Sequence, residues 1–202
     1  MHASYPVLYA CKSEARAIRM VVPSEWRSIH RGESSGEMIL GILSDSHGDV
    51  HATQRAIELL RESGATRFIH CGDLCGTGVL DALAGLDCYF VWGNCDHPDA
   101  AMNKYVRDIG LPVPNGRLTL YIAGKSIAAF HGHEEEFHAA AGSDHFDYIL
   151  YGHTHRYADT RIGRTRLINP GALYRARPHT VATLDPSTDK LTVLRLDTGR
   201  PV

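Results

Sequence analysis

Long apolar runs are absent from the chain: nothing in its 202 residues approaches the roughly 18 to 20 consecutive apolar side chains of a membrane span, so no membrane is expected among its partners. An excess of charge is absent too. The 21 Lys and Arg face 23 Asp and Glu, a formal net charge of −2, which argues against a dedicated nucleic-acid coat. Cysteine is sparse. Its five copies are odd in number and lack any C-x-x-C spacing, in a chain long enough to bury about 70% of its unfolded surface without covalent staples. A disulfide framework is therefore not expected. No basic stretch followed by an apolar one opens the chain, and a reducing cytoplasm is the expected compartment. Repeats and low-complexity tracts are missing, and 44% hydrophobic with 22% charged residues excludes a disordered, collagenous or coiled-coil chain.

Histidine, by contrast, is abundant, with 13 copies, and it is both a common metal ligand and the side chain that titrates near neutral pH. Its placement follows from the organisation of the chain. Residues 1–37 mix Arg, Glu, Ser and Pro with short apolar pieces and keep no period, so they read as an N-terminal extension. Glu14, Glu25, Glu33 and Glu37 spoil the acid-poor composition of a transit peptide. Residues 38–202 read as one domain, and Met38 is itself a candidate initiator. Met38–Leu43 suits a strand buried on both faces, and Val50–Ser63 an amphipathic helix stopped by Gly64. A strand over 66–70, a helix over 79–86, a strand over 88–92 and a helix over 98–109 opened by Pro98 continue the βαβ rhythm of a parallel sheet. Beyond Arg117, Leu118–Ile122 and Ser126–Phe130 read as a hairpin, Glu134–Ala141 as a helix and Tyr148–Tyr151 as a strand. The tail from Tyr157 reads as antiparallel strands turning at Gly163 and at Asp185-Pro186.

Five segments rich in metal-ligand residues fall just after expected strands: Asp45-Ser46-His47, Gly72-Asp73, Gly93-Asn94-Cys95-Asp96, His131-Gly132-His133 and Gly152-His153-Thr154-His155. In open α/β sheets ligands bind beyond the carboxyl ends of the strands, so these loops can converge on one point. Each has an ordinary reading alone. Asp45 or Asp49 can cap the helix at Val50, Gly93-Asn94 can be a turn, and His153 and His155 can be a surface pair. Five in order, each at a strand end, are hard to obtain from capping and turn chemistry. Carboxylate, amide and imidazole donors without an obligatory thiolate suit Mn, Fe, Co, Ni or Zn better than Ca.

This ordered set, D-x-H, G-D, G-N-x-D, H-G-H and G-H-T-H, resembles the calcineurin-like metallophosphoesterases. The Gly93-Asn94-Cys95-Asp96 form, with Asn169-Pro170-Gly171 later, is similar to their YfcE-like phosphodiesterase branch. The resemblance implies an α/β (α+β) fold, a four-layer αββα sandwich of two mixed sheets flanked by helices. It implies two divalent metal ions, Mn(II) first, with Ni, Co, Fe or Zn suiting the same donors. One metal would take Asp45, His47, Asp73 and His155, and the other Asp73, Asn94, His131 and His153, with Asp73 bridging. The implied reaction is hydrolysis of a small or nucleotide-like phosphodiester by a hydroxide held between the ions and attacking phosphorus in line. Asn94, Cys95 and His133 are the implied catalytic positions. Cys95 stands where many members of the superfamily carry a proton-donating His, which disfavours monoesters with poor leaving groups, and His133 is a partial substitute. Asp49 and Asp96 are candidates for orienting ligands or capping helices. Two alternatives stand beside this reading: a non-catalytic interaction scaffold of the same fold, like the retromer subunit, and a phosphomonoesterase or nuclease. The expected partners are a small phosphodiester and no stably bound nucleic acid, and a homo-oligomer is compatible with this.

Other signals are weaker. Gly32-Glu33-Ser34-Ser35-Gly36 matches a nucleophile elbow but precedes a strand rather than a helix, and in His133–His138 the second His comes one residue late for an H-E-x-x-H zinc motif. Residues 156–177 hold six arginines against Asp159 alone, which reads either as a solvated face or as a rim attracting an anionic substrate.

Overall fold

Strand β1 (Ile39–Leu43) shows how the architecture arises. Leu40 and Ile42 are fully buried on one face and Leu43 on the other, which is why the strand reads as an unbroken apolar run. The computed structural model describes residues 38–202, and the extension expected over 1–37 and the elbow-like motif within it lie outside the described residues. β1 runs parallel to β2 (Ala65–His70), and β2 parallel to β3 (Cys88–Phe90). Antiparallel β9 (Thr180–Asp185) and β10 (Lys190–Arg195) complete a sheet of order β10-β9-β1-β2-β3. The second sheet, of order β4-β5-β6-β8-β7, consists of β4 (Leu118–Ile122), β5 (Lys125–Ala129), β6 (Tyr148–Leu150), β7 (Ala158–Ile162) and β8 (Thr165–Asn169).

The sheets face one another through Leu40, Ile42 and Ile69 on one side and Ile127, Ala129, Leu150 and Ile168 on the other. Burial of each such Leu or Ile side chain contributes about 1.5–3 kcal/mol. The alternate residues point outward to helices. Leu43, Phe68 and Phe90 pack with Leu60 of α1 (Val50–Glu62), Leu80 of α2 (Thr77–Leu83) and Val106 of α3 (Ala100–Asp108). Ala128 and Ile149 pack with Phe137 and Ala141 of α4 (Glu135–Ala141). Helix, sheet, sheet, helix is the four-layer sandwich that the resemblance implies. No helix among the described residues is long and apolar enough to cross a membrane.

Differences from expectation have local causes. α2 starts two residues early, at Thr77 behind the left-handed Gly76, and stops at Leu83 because Ala84 turns extended ahead of Gly85. α3 is opened not by Pro98 but by Asp99, whose carboxylate accepts the Met102 N–H at 2.8 Å. β8 pairs parallel with β6, so the tail is not wholly antiparallel: the Gly163 turn fixes the β7–β8 pairing but not the neighbour that β8 takes on its other edge.

Candidate metal centre

The five ligand-rich segments follow β1, β2, β3, β5 and β6, and hydrogen bonds tie them across the two sheets. Asp45 N–H donates to Gly72 O at 3.0 Å, His131 Nδ1 lies 2.8 Å from Cys71 O, and Gly152 N–H donates to His131 O at 2.8 Å. Side chains from all five then meet. Asp73 Oδ2 lies 3.3 Å from His47 Nε2 and 3.4 Å from His131 Nε2. His155 Nε2 lies 3.3 Å from both Asp45 Oδ1 and His47 Nε2. Asn94 Oδ1 is 3.0 Å from His131 Nε2, and the His153 ring stands edge-on to that of His131 with centroids 5.1 Å apart.

Asp73 is nearly enclosed, and its two oxygens do different things. Oδ1 accepts the Cys95 N–H at 2.8 Å, which leaves Oδ2 between the His47 and His131 rings. His131 is equally constrained. With Nδ1 donating to Cys71 O, Nε2 and Asn94 Oδ1 become two acceptors 3.0 Å apart, an arrangement that a proton or a cation between them satisfies. The electrostatics agree. Burial opposes charge on His131, but hydrogen bonding to Asp73 and the Cys71 carbonyl, and the negative charge of Asp73 and Asp45, hold its pKa above the ordinary value. Burial works to raise the Asp73 carboxyl, yet the His131 and Cys95 hydrogen bonds hold it well below the usual range. Burial pushes Asp45 up, against Ser44, His131 and His155. Burial, then the neighbouring His131 and His133, pushes His153 down. A cluster of oxygen and imidazole donors that draws in positive charge fits borderline divalent ions.

The backbone is strained to make this cluster. Asp45, His47, Asp73, Cys75, His153 and His155 all adopt positive φ, between 43° and 67°, a region costly for residues with a Cβ. Glycine is needed where loops touch. A Cβ on Gly93 would collide with the Asp73 backbone nitrogen and Oδ1, and one on Gly152 with Ser44 Oγ, lying 2.7 Å from Asp45 Oδ2.

Other expected residues stand around the cluster. Asp49 caps α1, accepting Ala52 N–H at 2.9 Å. Asp96 accepts the N–H groups of Gly93 and Cys75 at 2.8 Å, tying the loops after β2 and β3. Cys95 is exposed, and His133 is partly exposed with its ring 5.4 Å from that of His131. The arginine stripe divides. Arg166 is buried between Asp159 and Asp189, and Arg161 and Arg164 pair with Asp189 and Asp147, while Arg156, Arg175 and Arg177 stay exposed.

Sequence reasoning missed several supports. Buried His70 accepts Gly72 N–H on Nδ1 at 3.2 Å and so donates from Nε2 to Ser46 Oγ at 2.7 Å, joining the first two ligand loops. Glu134 accepts the N–H groups of His131 and Gly132, at 2.8 and 2.6 Å. Tyr174 lies tilted against His47 with centroids 4.9 Å apart, and the Cys75 sulfur lies 3.5 Å from His47 Nδ1. Burial, then the Asp96 and Asp73 carboxylates, pushes that thiol up to about 12. Of these, only the position of Glu134 directly after H-G-H offered a signal in the sequence.

Residues 38–189 match the calcineurin-like phosphoesterase superfamily domain. The phosphodiesterase MJ0936 of Methanocaldococcus jannaschii is 27% identical over 138 residues, which cover 66% of this chain and 83% of that protein. Phosphodiesterase YfcE of Escherichia coli K12 is 26% identical over 151 residues, 67% of this chain and 79% of that protein. A solved structure of the Escherichia coli protein aligns over 82% of this chain and 97% of its own, with a TM-score of 0.65 and 24% identity. Vps29 of Entamoeba histolytica, solved with zinc, shares the fold at a TM-score of 0.53 and 20% identity, over 77% of this chain and 90% of its own.

Proposed function

Since the chain belongs to the calcineurin-like phosphoesterase superfamily, we propose that it is a dinuclear metal-dependent phosphodiesterase acting on a small or nucleotide-like phosphodiester. The observation that carries this reading is Asp73 Oδ2, set between His47 and His131 with its other oxygen already engaged. One divalent ion would be held by Asp45, His47, Asp73 and His155, and a second by Asp73, Asn94, His131 and His153. When bound, such ions supply Lewis acidity toward phosphoryl oxygens and an activated water at neutral pH. The donor set accommodates Mn(II), with Ni, Co, Fe and Zn as competitors.

The chain's own groups do the positioning. His131 keeps its proton on Nδ1 through Cys71 O and presents Nε2 to the centre. The Cys95 N–H holds the unshared oxygen of Asp73. His133, partly exposed beside His131 and His153, is the group placed to deliver a proton to a leaving oxygen, and the exposed thiol of Cys95 is a poor acid for that task. Arg156, next to His155, and Arg175, which lies over the Tyr174 ring, leave positive charge near the site for an anionic substrate.

The test is turnover of a panel of aryl and alkyl phosphodiesters and monoesters by chelator-treated protein, with each divalent ion restored in turn. Restoration of diester hydrolysis by Mn(II), Co(II) or Ni(II) is expected. Metal binding without turnover of any ester would favour the interaction scaffold.

A further inference from the structure

Two thiols stand at the rim of the centre, one from the loop after β2 and one from the loop after β3. The Cys75 and Cys95 sulfurs lie within 4.8 Å of one another and of a His47 ring nitrogen. Cys75 Sγ is also 3.8 Å from the Cys95 carbonyl oxygen. The loops that carry them are already joined, because Asp96 accepts both the Cys75 and the Gly93 N–H at 2.8 Å. A disulfide needs sulfurs about 2.05 Å apart, so at most about 2.8 Å of approach is required, which takes rotation of the exposed Cys95 side chain together with movement of its loop. Cys71 and Cys88 are buried and do not compete.

We propose that Cys75 and Cys95 form a reversible disulfide at the mouth of the metal centre and that a peroxide-class oxidant thereby switches the site off. The exposed Cys95 thiol meets the oxidant first. Its sulfur attacks one peroxide oxygen, the O–O bond breaks, and a sulfenic acid and one water result. The Cys75 thiol passes its proton to His47 Nδ1, 3.5 Å away, its sulfur attacks the Cys95 sulfur, the S–O bond breaks, and the departing hydroxide takes that proton to leave as a second water. In sum, two thiols lose two hydrogens and the peroxide is reduced to two waters.

The consequence for the site follows from what each cysteine touches. Cys75 Sγ faces Nδ1 of His47, and the Cys95 backbone N–H holds Asp73. Drawing the sulfurs together takes the thiol from His47 and pulls on the peptide that fixes Asp73. Loss of such supporting contacts weakens metal binding by about 10- to 100-fold. That loss rests on the proposed dinuclear reading, whereas formation of the bond does not.

The experiment treats reduced, chelator-stripped full-length protein with hydrogen peroxide, caps remaining thiols with N-ethylmaleimide, and maps peptides by mass without reduction. A Cys75–Cys95 pair two hydrogens lighter is expected, absent in Cys75→Ser and reversed by dithiothreitol. Mn(II) binding should weaken about tenfold or more in the crosslinked chain and recover on reduction. Both thiols still capped after peroxide has oxidised a free-thiol standard would overturn the proposal. So would Cys95 ending as a sulfinic acid or bonded to Cys11, or a crosslinked chain that binds Mn(II) as the reduced one does. A crosslink that forms and weakens Mn(II) binding in a chain without esterase activity in either state supports the bond and overturns the phosphodiesterase reading instead.

Discussion

At Cys95 the side chain and the backbone both reach Asp73, and the backbone contact does not depend on the thiol. The backbone N–H holds Asp73 Oδ1, and the thiol stands exposed 3.5 Å from the Asn94 amide nitrogen. Cys95→Ala keeps the first contact and removes the second, so diester turnover should fall by no more than about threefold, well under 1 kcal/mol of barrier. A nitrophenolate leaves without needing a proton, whereas an alkoxide does, so a strong preference for activated diesters over alkyl monoesters is expected. Cys95→His should raise monoester turnover where the imidazole reaches the leaving oxygen. Steady-state kinetics on both ester classes checks this. Collapse of diester turnover in Cys95→Ala, with metal content intact, would make the thiol a direct participant.

At the scale of elements, His70 shows how the end of one strand secures two ligand loops. It takes the Gly72 N–H on one ring nitrogen and gives a proton to Ser46 from the other, so only the neutral imidazole fits. Burial, then the charge of His131, pushes its pKa from 6.5 down to about 3. The unfolded chain therefore takes up a proton first as pH falls, and stability is lost between about 6.5 and about 3, at up to roughly 1.4 kcal/mol per pH unit. Thermal unfolding of metal-free protein across that window should show a shallower pH slope for His70→Gln than for the parent. Parallel curves would mean that His70 does not carry this dependence.

The ligand loops were legible in the sequence because each joins a strong strand pattern to a short run of donors: Met38–Leu43 before Asp45, or Ser126–Phe130 before His131. The supports were not. His70 closes a buried strand, where period and composition predict only packing, and its partner Ser46 comes within reach only when β1 and β2 pair. Likewise the ion pairs that neutralise Arg161, Arg164 and Arg166 come from Asp147, Asp159 and Asp189. Two of these lie outside the stretch whose local charge suggested a basic rim. The β6–β8 pairing was hidden for the same reason, since burial alternation carries no strand direction.

For the whole molecule, the two sheets contribute complementary halves of one centre: Asp45, His47, Asp73 and Asn94 from one, His131, His153 and His155 from the other. Every expected ligand belongs to residues 38–202. A chain beginning at Met38 should therefore fold, bind metal and turn over substrate within about twofold of the full chain, read by circular dichroism, metal content and kinetics. An insoluble product, or one that binds metal without turnover, would assign residues 1–37 a place in the active protein.

In the proposed centre Asp73 joins two ions in one site. The most direct measurement is equilibrium loading with Mn(II) followed by electron paramagnetic resonance, on the parent chain and on Asp73→Ala. Two Mn(II) per chain with the spectrum of an exchange-coupled pair are expected, with loss of the coupling together with at least one ion in Asp73→Ala. A single Mn(II) per chain at saturation, two uncoupled ions, or an unchanged coupled spectrum in Asp73→Ala would contradict it.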